Sequence, residues 1–313
     1  MLSRIADALF WMNRYMERAG GLLRAVSTHY ILSLDKDVYG SYSWRQVLET
    51  FSSATPEEIT AMEFNTGAAL KNLITDTTNN NSLKTIVGRA RENARGVQDH
   101  ITKEVWEEVN AIYHLMNQPS LDQRLNSYEA AEVMNLITRH TVLYTGVTDI
   151  TMSRGPGWSF MNLGKYAERC LETIVLTNRE YQRIQYNLDD VQDIMQWRYL
   201  LYSLSGYELH LKTYRSANYN YNVLHQVLFN DNFPHSVAHS LGRMERRLQE
   251  VIRSNPSSDN ASLMRCFGRL ISRVRYTDLE TLNNDTLRQF LEEIRQELLH
   301  FNKRLGQQFF SYA

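Results

Sequence analysis

Residues 2–26 read LSRIADALFWMNRYMERAGGLLRAV. Within them Leu2, Ile5, Leu9, Met12, Met16, Ala19, Leu23 and Val26 follow a 3,4,3,4 spacing, which draws one apolar seam along a helix of about seven turns. Phe10 and Trp11 lie off that seam, so at this level the helix is apolar nearly all round, as expected of one packed on more than one side. The spacing predicts a long central helix and an all-α fold built about it.

Helical period continues along the chain. After a looser segment at 34–42, shorter helices are expected at 44–51 and 56–73, the latter with Pro56 in its first turn. Asn79-Asn80-Asn81-Ser82 reads as a loop and an N-cap. From Leu83 the apolar positions Ile86, Val87, Ala90, Ala94, Val97, Ile101, Val105, Trp106, Val109, Ile112 and Met116 keep helical period to the Asn117-Gln118-Pro119 stop, so a single helix is expected over 83–116. Another is expected over 127–152, closed by Gly155-Pro156-Gly157, the strongest punctuation in the sequence. Further helices are expected at 158–185, 191–214, 219–229, 234–253, 261–276 and 285–312. No stretch alternates with period two for long enough to suggest a sheet.

Composition agrees. Of 313 residues 43% are hydrophobic, with 18 Tyr, 11 Phe and 5 Trp, ample for a buried core. Gly 14 and Pro 5 are roughly 4.5% and 1.6%, against roughly 7% and 5% in average usage, so helix breakers are scarce. A net charge of −1 lacks the footprint of a general nucleic-acid binder, and no such partner is expected. Two cysteines, Cys170 and Cys266, make no disulfide framework and fit a reducing cytosol. No signal peptide fits the first residues, and no stretch approaches the roughly 18 apolar residues that cross a bilayer, so a cytoplasmic chain without a membrane partner is expected.

An internal repeat organises the whole. Arg14-Tyr15-Met16-Glu17-Arg18-Ala19 returns as Lys165-Tyr166-Ala167-Glu168-Arg169-Cys170, Trp44-Arg45 with Leu48 as Trp197-Arg198 with Leu201, and Gly88-Arg89 as Gly242-Arg243. The displacement stays near 150 residues and the order is kept, which favours duplication into helical halves of about 1–152 and 153–313 related by a pseudo-twofold axis. Carried forward, the first seam falls on Phe160, Leu163, Ala167, Cys170, Ile174 and Thr177, so Cys170 reads as a packing residue rather than a nucleophile.

At these residues the sequence resembles the alpha-E family, a bacterial all-helical family named for its Glu-Arg motif and classed as a domain of unknown function. The carrying segments are Leu2-Ser3-Arg4-Ile5-Ala6-Asp7 with Trp11-Met12, Arg14 to Ala19, Ala90-Arg91-Glu92-Asn93-Ala94-Arg95-Gly96-Val97, and Thr151-Met152-Ser153-Arg154 running into Gly157-Trp158, Leu163-Gly164 and Glu168-Arg169. Gly20-Gly21 stand where acidic or amide residues are expected, and Asn80 where an Asn-Pro-Asn-Ser pattern has proline. The resemblance implies a genomic setting beside, or fused to, an atypical ATP-grasp ligase and near a transglutaminase-like protein. That setting implies cytosolic peptide or amide-bond modification and assigns no chemistry to this chain.

The candidate residues keep two readings each. Glu17 and Arg18 are consecutive, so they point about 100° apart and need partners elsewhere. Both lie opposite the seam, above Phe10 and Trp11. If the pseudo-twofold joins the repeat helices, Glu17 meets Arg169 and Glu168 meets Arg18, either fixing register or lining a cleft that binds an anionic or peptide group. Arg91, Glu92 and Arg95 share one side of a helix, as a solvated ion-pair face or as an extension of that anion-facing surface, and Arg154 beside the Gly-Pro-Gly break is a similar candidate. Between His239 and Arg275 eight arginines face three acidic residues, a local balance of +5 that is either an outer charged face or a steering patch for an acidic partner. Asp189, Asp190 and Asp193 read as capping residues. Only Glu297 with His300 has Glu-x-x-His spacing, short of the two pairs a di-iron bundle uses, and no metal or other cofactor is expected. No phosphate loop, GxSxG elbow or Cys/His pair is present. The leading expectation is an accessory or substrate-presenting partner of the ligase. An enzyme of the same pathway, with Glu17 and Glu168 as acid and base, and a structural assembly protein are the alternatives.

Overall fold

The computed structural model describes residues 2–34, 43–189, 192–215, 218–257 and 259–310. Among them every regular element is helical, fifteen α-helices with short 3₁₀ and π turns. The chain divides into two compact units, Trp11–Ser153 and a second made of Arg154–Ala313 with Met1–Phe10. Most of the expected looser segment at 34–42 lies outside the described residues, as do Asp190, Val191 and Tyr312.

In the unit Trp11–Ser153 the principal element is α1, Ser3–Ser33, whose first turns belong to the other unit. Met12, Met16, Ala19, Leu23 and Val26 of the seam are buried, and so are Asn13, Arg14, Glu17 and His29 off it. A helix buried on more than its seam accounts for the apolar character seen all round. The Tyr144 hydroxyl donates to Asn13 Oδ1 at 2.6 Å inside this core. Four helices follow: α2 Arg45–Phe51, α3 Pro56–Met62, α4 Thr66–Leu70 and, after a π turn at Lys71–Thr75, α5 Leu83–Gly96. The single helix expected over 56–73 is thus divided, because the Asn65 side chain accepts from the Ala68 N–H and starts a new helix there. Ser82 caps α5 as the sequence suggests.

The helix expected over 83–116 is also two, α5 and α6 Lys103–Met116. Gly96 ends the first, the chain turns through Gln98–His100, and the two helices pack on each other. Apolar spacing crosses the break intact because both arms of such a hairpin bury their apolar sides, so periodicity alone does not mark it. Short α7, Leu121–Leu125, leads to α8, Ala130–Thr151, which packs on α6.

The second unit is built about α9, Pro156–Arg183, with Pro156 at its first position and Gly155 as N-cap. Phe160, Leu163, Ala167, Cys170, Ile174 and Thr177, the residues carried forward from the first seam, are all buried, and burial pushes the Cys170 thiol well up. The helix expected over 191–214 resolves into a 3₁₀ turn at Ile194–Trp197, α10 Arg198–Ser203 and α11 Tyr207–Thr213. Ser205, at φ 55°, breaks it, and the Gln226 amide takes the Gly206 carbonyl at 2.8 Å. Asp193 caps the 3₁₀ turn, in line with the capping reading. The remaining helices are α12 Tyr219–Leu228, α13 Val237–Ser254, α14 Asn260–Tyr276 and α15 Asn284–Phe309. Against α9 pack α13 and α15, and α14 joins α13 to α15. Gly164 brings α9 against the start of α1, since a Cβ there would lie 2.1 Å from the Phe10 carbonyl oxygen. No helix among the described residues is long and apolar enough to cross a membrane.

Candidate functional site

Helical spacing sets how the Glu-Arg residues are held. In α1 the guanidinium of Arg14 lies over the Trp11 ring at 4.8 Å and that of Arg18 over the Tyr15 ring at 5.7 Å, each an i,i+3 pair on one helical face. Glu17 beside them is 8% exposed. In α9 the arrangement is alike: Glu168 is 5% exposed, and the Arg169 guanidinium lies 5.5 Å from the Tyr166 ring centroid. The carboxylate of each motif is therefore buried and its arginine half-exposed.

Arg91, Arg95 and Arg154 are held separately. Arg91 donates to Asn110 at 2.8 Å and stacks on Tyr113 at 4.5 Å, which ties α5 to α6. Arg95 is largely exposed and reaches Glu92 at 3.8 Å, the solvated pair the i,i+3 spacing suggests. Arg154 lies over the Trp158 ring at 3.9 Å. Within their units, then, Arg91 is bound into the helix hairpin and Arg154 onto the start of α9.

Arg169 leads to a cleft that the sequence does not reveal. Its Nη1 donates to the Pro234 carbonyl at 3.3 Å, in the loop before α13, while Tyr166 faces His239 with ring centroids 6.3 Å apart. His239 Nδ1 donates to the Asp231 carbonyl at 2.8 Å, which leaves Nε2 to accept from Arg243 Nε at 3.4 Å. Burial lowers the His239 pKa, against the bond to the Asp231 carbonyl, and the charges of Arg243 and Arg169 push it the same way as burial.

Two adjoining cavities of about 500 and 240 Å³ open here, sharing Asp231, Ala238, Gly242 and Arg275. The larger is polar, lined by His239, Arg243, Glu245 and Arg246; the smaller is floored by Phe229, Leu241, Ile271, Val274 and Leu279. Gly242 is in both, and a Cβ placed on it meets nothing within 4 Å. A glycine inside a helix lowers its stability by about 1 kcal/mol relative to Ala, and no packing neighbour at Gly242 requires one. The space it leaves belongs to the cleft.

Arg275 is partly neutralised by Glu245 at 3.3 Å. Arg243 and Arg246 have no carboxylate within ion-pair distance among the described residues. A ligand with one acidic group and an apolar body matches such a cleft: guanidinium forks take a carboxylate, and the floor takes the body. The wall is stiffened by a chain in which Asn230 Nδ2 donates to the Tyr214 hydroxyl at 3.1 Å and that hydroxyl meets His225 Nδ1 at 2.7 Å. Among the described residues, no group of three or more His, Cys, Asp or Glu side chains is placed to share a metal ion, and Glu297 instead takes Arg273 at 2.9 Å.

Residues 1–310 match the family described as a predicted alpha-helical domain with a conserved ER motif. The chain belongs to the Alpha-E family. No curated protein and no solved structure matches it. The family description names no ligand. In this Alpha-E chain, consecutive Glu-Arg residues occur at Glu17-Arg18, at Glu168-Arg169 and again at Glu245-Arg246, the third pair lying in the cleft wall. Sequence reading singled out the first two pairs and passed over the third. Gly242 just upstream does not by itself mark it, since Gly88, Gly146 and Gly268 in other helices also leave open space at the Cβ position.

Proposed function

We propose that this Alpha-E chain is a binding protein: an accessory, substrate-presenting partner of an ATP-grasp amide or peptide ligase in a cytosolic peptide-modification pathway, with a transglutaminase-like protein as a further partner. The cleft over Gly242 carries the reading, because it joins an apolar floor to an arginine rim and so suits the carboxylate end of a peptide. Arg169 supports the polar end from α9 through Pro234 and the field at His239. Glu17, Arg18, Arg91 and Arg95 in the first unit, and Arg154 and Glu168 in the second, are taken in this reading as further anion- or peptide-binding residues, each within its own unit. A binding role also accords with the thiols: burial raises the pKa of both Cys170 and Cys266, which keeps each in the less nucleophilic protonated form.

The same proposal takes residues 1–152 and 153–313 as copies of one ancestral helical unit. Supporting it, Ser82 and Ser236 each start a helix by accepting from the N–H three residues on, and Trp44 and Trp197 each directly precede a short helix.

Co-purification with the ligase tests the function, comparing wild type with Glu17→Gln and Arg169→Ala variants of unchanged melting temperature. Loss of complex or of ligation in Arg169→Ala is expected. Intact complex and full ligation in both variants would remove the motif from the function, and turnover of peptide by the chain alone, abolished in Glu168→Gln, would make it an enzyme instead.

A further inference from the structure

A second charged groove lies away from the cleft, between α14 and α15, with a volume of about 380 Å³. Arg265 and Arg269 stand one turn apart on α14, and Arg304 faces them from α15, its Nη2 donating to Ser262 Oγ at 2.8 Å. Cys266 lines the groove with them: burial raises its pKa, the charges of Arg304 and Arg269 pull it down, and Glu297 pushes it up.

Like charges at i,i+4 on a helix repel, and a third from the facing helix adds to the effect. Arg273, the next arginine along α14, has Glu293 and Glu297. Arg265, Arg269 and Arg304 have no carboxylate within ion-pair distance among the described residues, and the one carboxylate lining the groove, Glu297, gives its Oε1 to Arg273. One turn of helix separates Arg265 from Arg269 by about 6 Å along the axis, and packed helices lie about 8–10 Å apart. Three guanidinium groups on that scale exceed what one carboxylate neutralises and match a compact anion carrying adjacent charges.

We propose that the groove formed by Arg265, Arg269 and Arg304 binds an anion with two adjacent phosphoryl groups, either free pyrophosphate or the diphosphate of an ester. Each phosphoryl group takes one fork from α14, and Arg304, held by Ser262, bridges them from α15. The ligand relieves the repulsion within the arginine set and ties α14 to α15.

Calorimetric titration of the full chain with pyrophosphate, ADP and orthophosphate at constant ionic strength tests the site. Pyrophosphate is expected to bind with a dissociation constant below about 1 mM, and at ten times that constant to raise the melting temperature by about 3 °C. ADP binding as tightly as pyrophosphate points to an ester as the natural source, and much weaker binding to the free anion; both outcomes uphold the site. The double variant Arg265→Gln/Arg269→Gln loses two charge-assisted contacts on an exposed face and should bind at least tenfold more weakly, while Arg253→Gln, an exposed arginine outside the groove, should bind as wild type does. Arg304→Lys, which keeps the charge but not the fork, gives an independent reading and should weaken pyrophosphate more than orthophosphate. No saturable heat with pyrophosphate, or equal affinity in wild type and the double variant, overturns the proposal.

Discussion

Gly164→Ala should destabilise the second unit although it replaces the poorest common helix former with the best. In the interior of α9 the exchange is worth about 1 kcal/mol in favour of Ala by propensity alone. Against it, the new Cβ would lie 2.1 Å from the Phe10 carbonyl oxygen and 3.0 Å from the Phe10 carbonyl carbon, both backbone atoms with no rotamer to yield. Carbon and carbonyl oxygen settle at about 3.3 Å, so the start of α1 and α9 must part by about 1 Å. Parting them loosens the aromatic cluster beside the contact, where Phe310 sits 5.1 Å from Phe10 and 5.8 Å from Phe160. Overpacking of this kind costs about 1–3 kcal/mol, and loss of aromatic contact adds to it. After subtraction of the helix gain the net loss is about 0.5–3.5 kcal/mol, or about 1–14 °C in melting temperature for a unit of this size. Gly242→Ala is the control: its Cβ meets open space, so the same exchange should stabilise by about 0.5–1 kcal/mol. Thermal and urea denaturation followed by circular dichroism measure both. Equal stabilisation by the two substitutions would refute the close approach at Phe10.

Three further outcomes follow from single contacts. Ser82→Ala and Ser236→Ala each remove an N-cap and should cost about 1 kcal/mol apiece in urea denaturation; no loss in either would deny that the cap starts the helix. Asn13→Leu removes the acceptor of the buried Tyr144 hydroxyl and should destabilise the first unit by about 1–3 kcal/mol, with little change for Tyr144→Phe made in the same background. His29 is buried against Trp44 with its pKa lowered from 6.5 to about 3, so the unfolded chain binds the proton first: its contribution is complete above pH 6.5 and is lost as pH falls toward 3, at about 1.4 kcal/mol per pH unit. His29→Leu should flatten stability against pH between 4 and 6 by one proton, and an unchanged slope would contradict the assignment.

The seam of α1, the Ser82 cap and the Gly-Pro-Gly start of α9 are local features, and each is legible in the sequence because 3.6-residue periodicity, an N-cap side chain and a proline at the first helical position act within one or two turns. The breaks at Asn65, at 97–102 and at Ser205-Gly206 are less so. At Ser205-Gly206 the partner lies beyond the helix, Gln226 at the Gly206 carbonyl, while at Asn65 and 97–102 a local cap and Gly96 act under an apolar spacing that runs on as though nothing happened. The spacing puts Glu17 and Arg18 off the seam but does not distinguish the buried carboxylate from the half-exposed guanidinium. The cleft is further still from local reading: it gathers residues from 225 to 279 across three helices and two turns. Of its parts the sequence offers only an arginine-rich stretch, which the fold then divides into paired arginines, a cleft rim and the groove of Arg265, Arg269 and Arg304.

Filling the cleft tests the proposed role most directly. Gly242→Trp starts its side chain in open space, since a Cβ at 242 meets nothing within 4 Å, and the variant is used at a melting temperature unchanged from wild type. Amide-bond formation by the ATP-grasp ligase at limiting peptide, measured alone, with the wild-type chain and with Gly242→Trp, is expected to rise severalfold with wild type only. A ligase equally active without the chain, or fully supported by Gly242→Trp, would contradict the account.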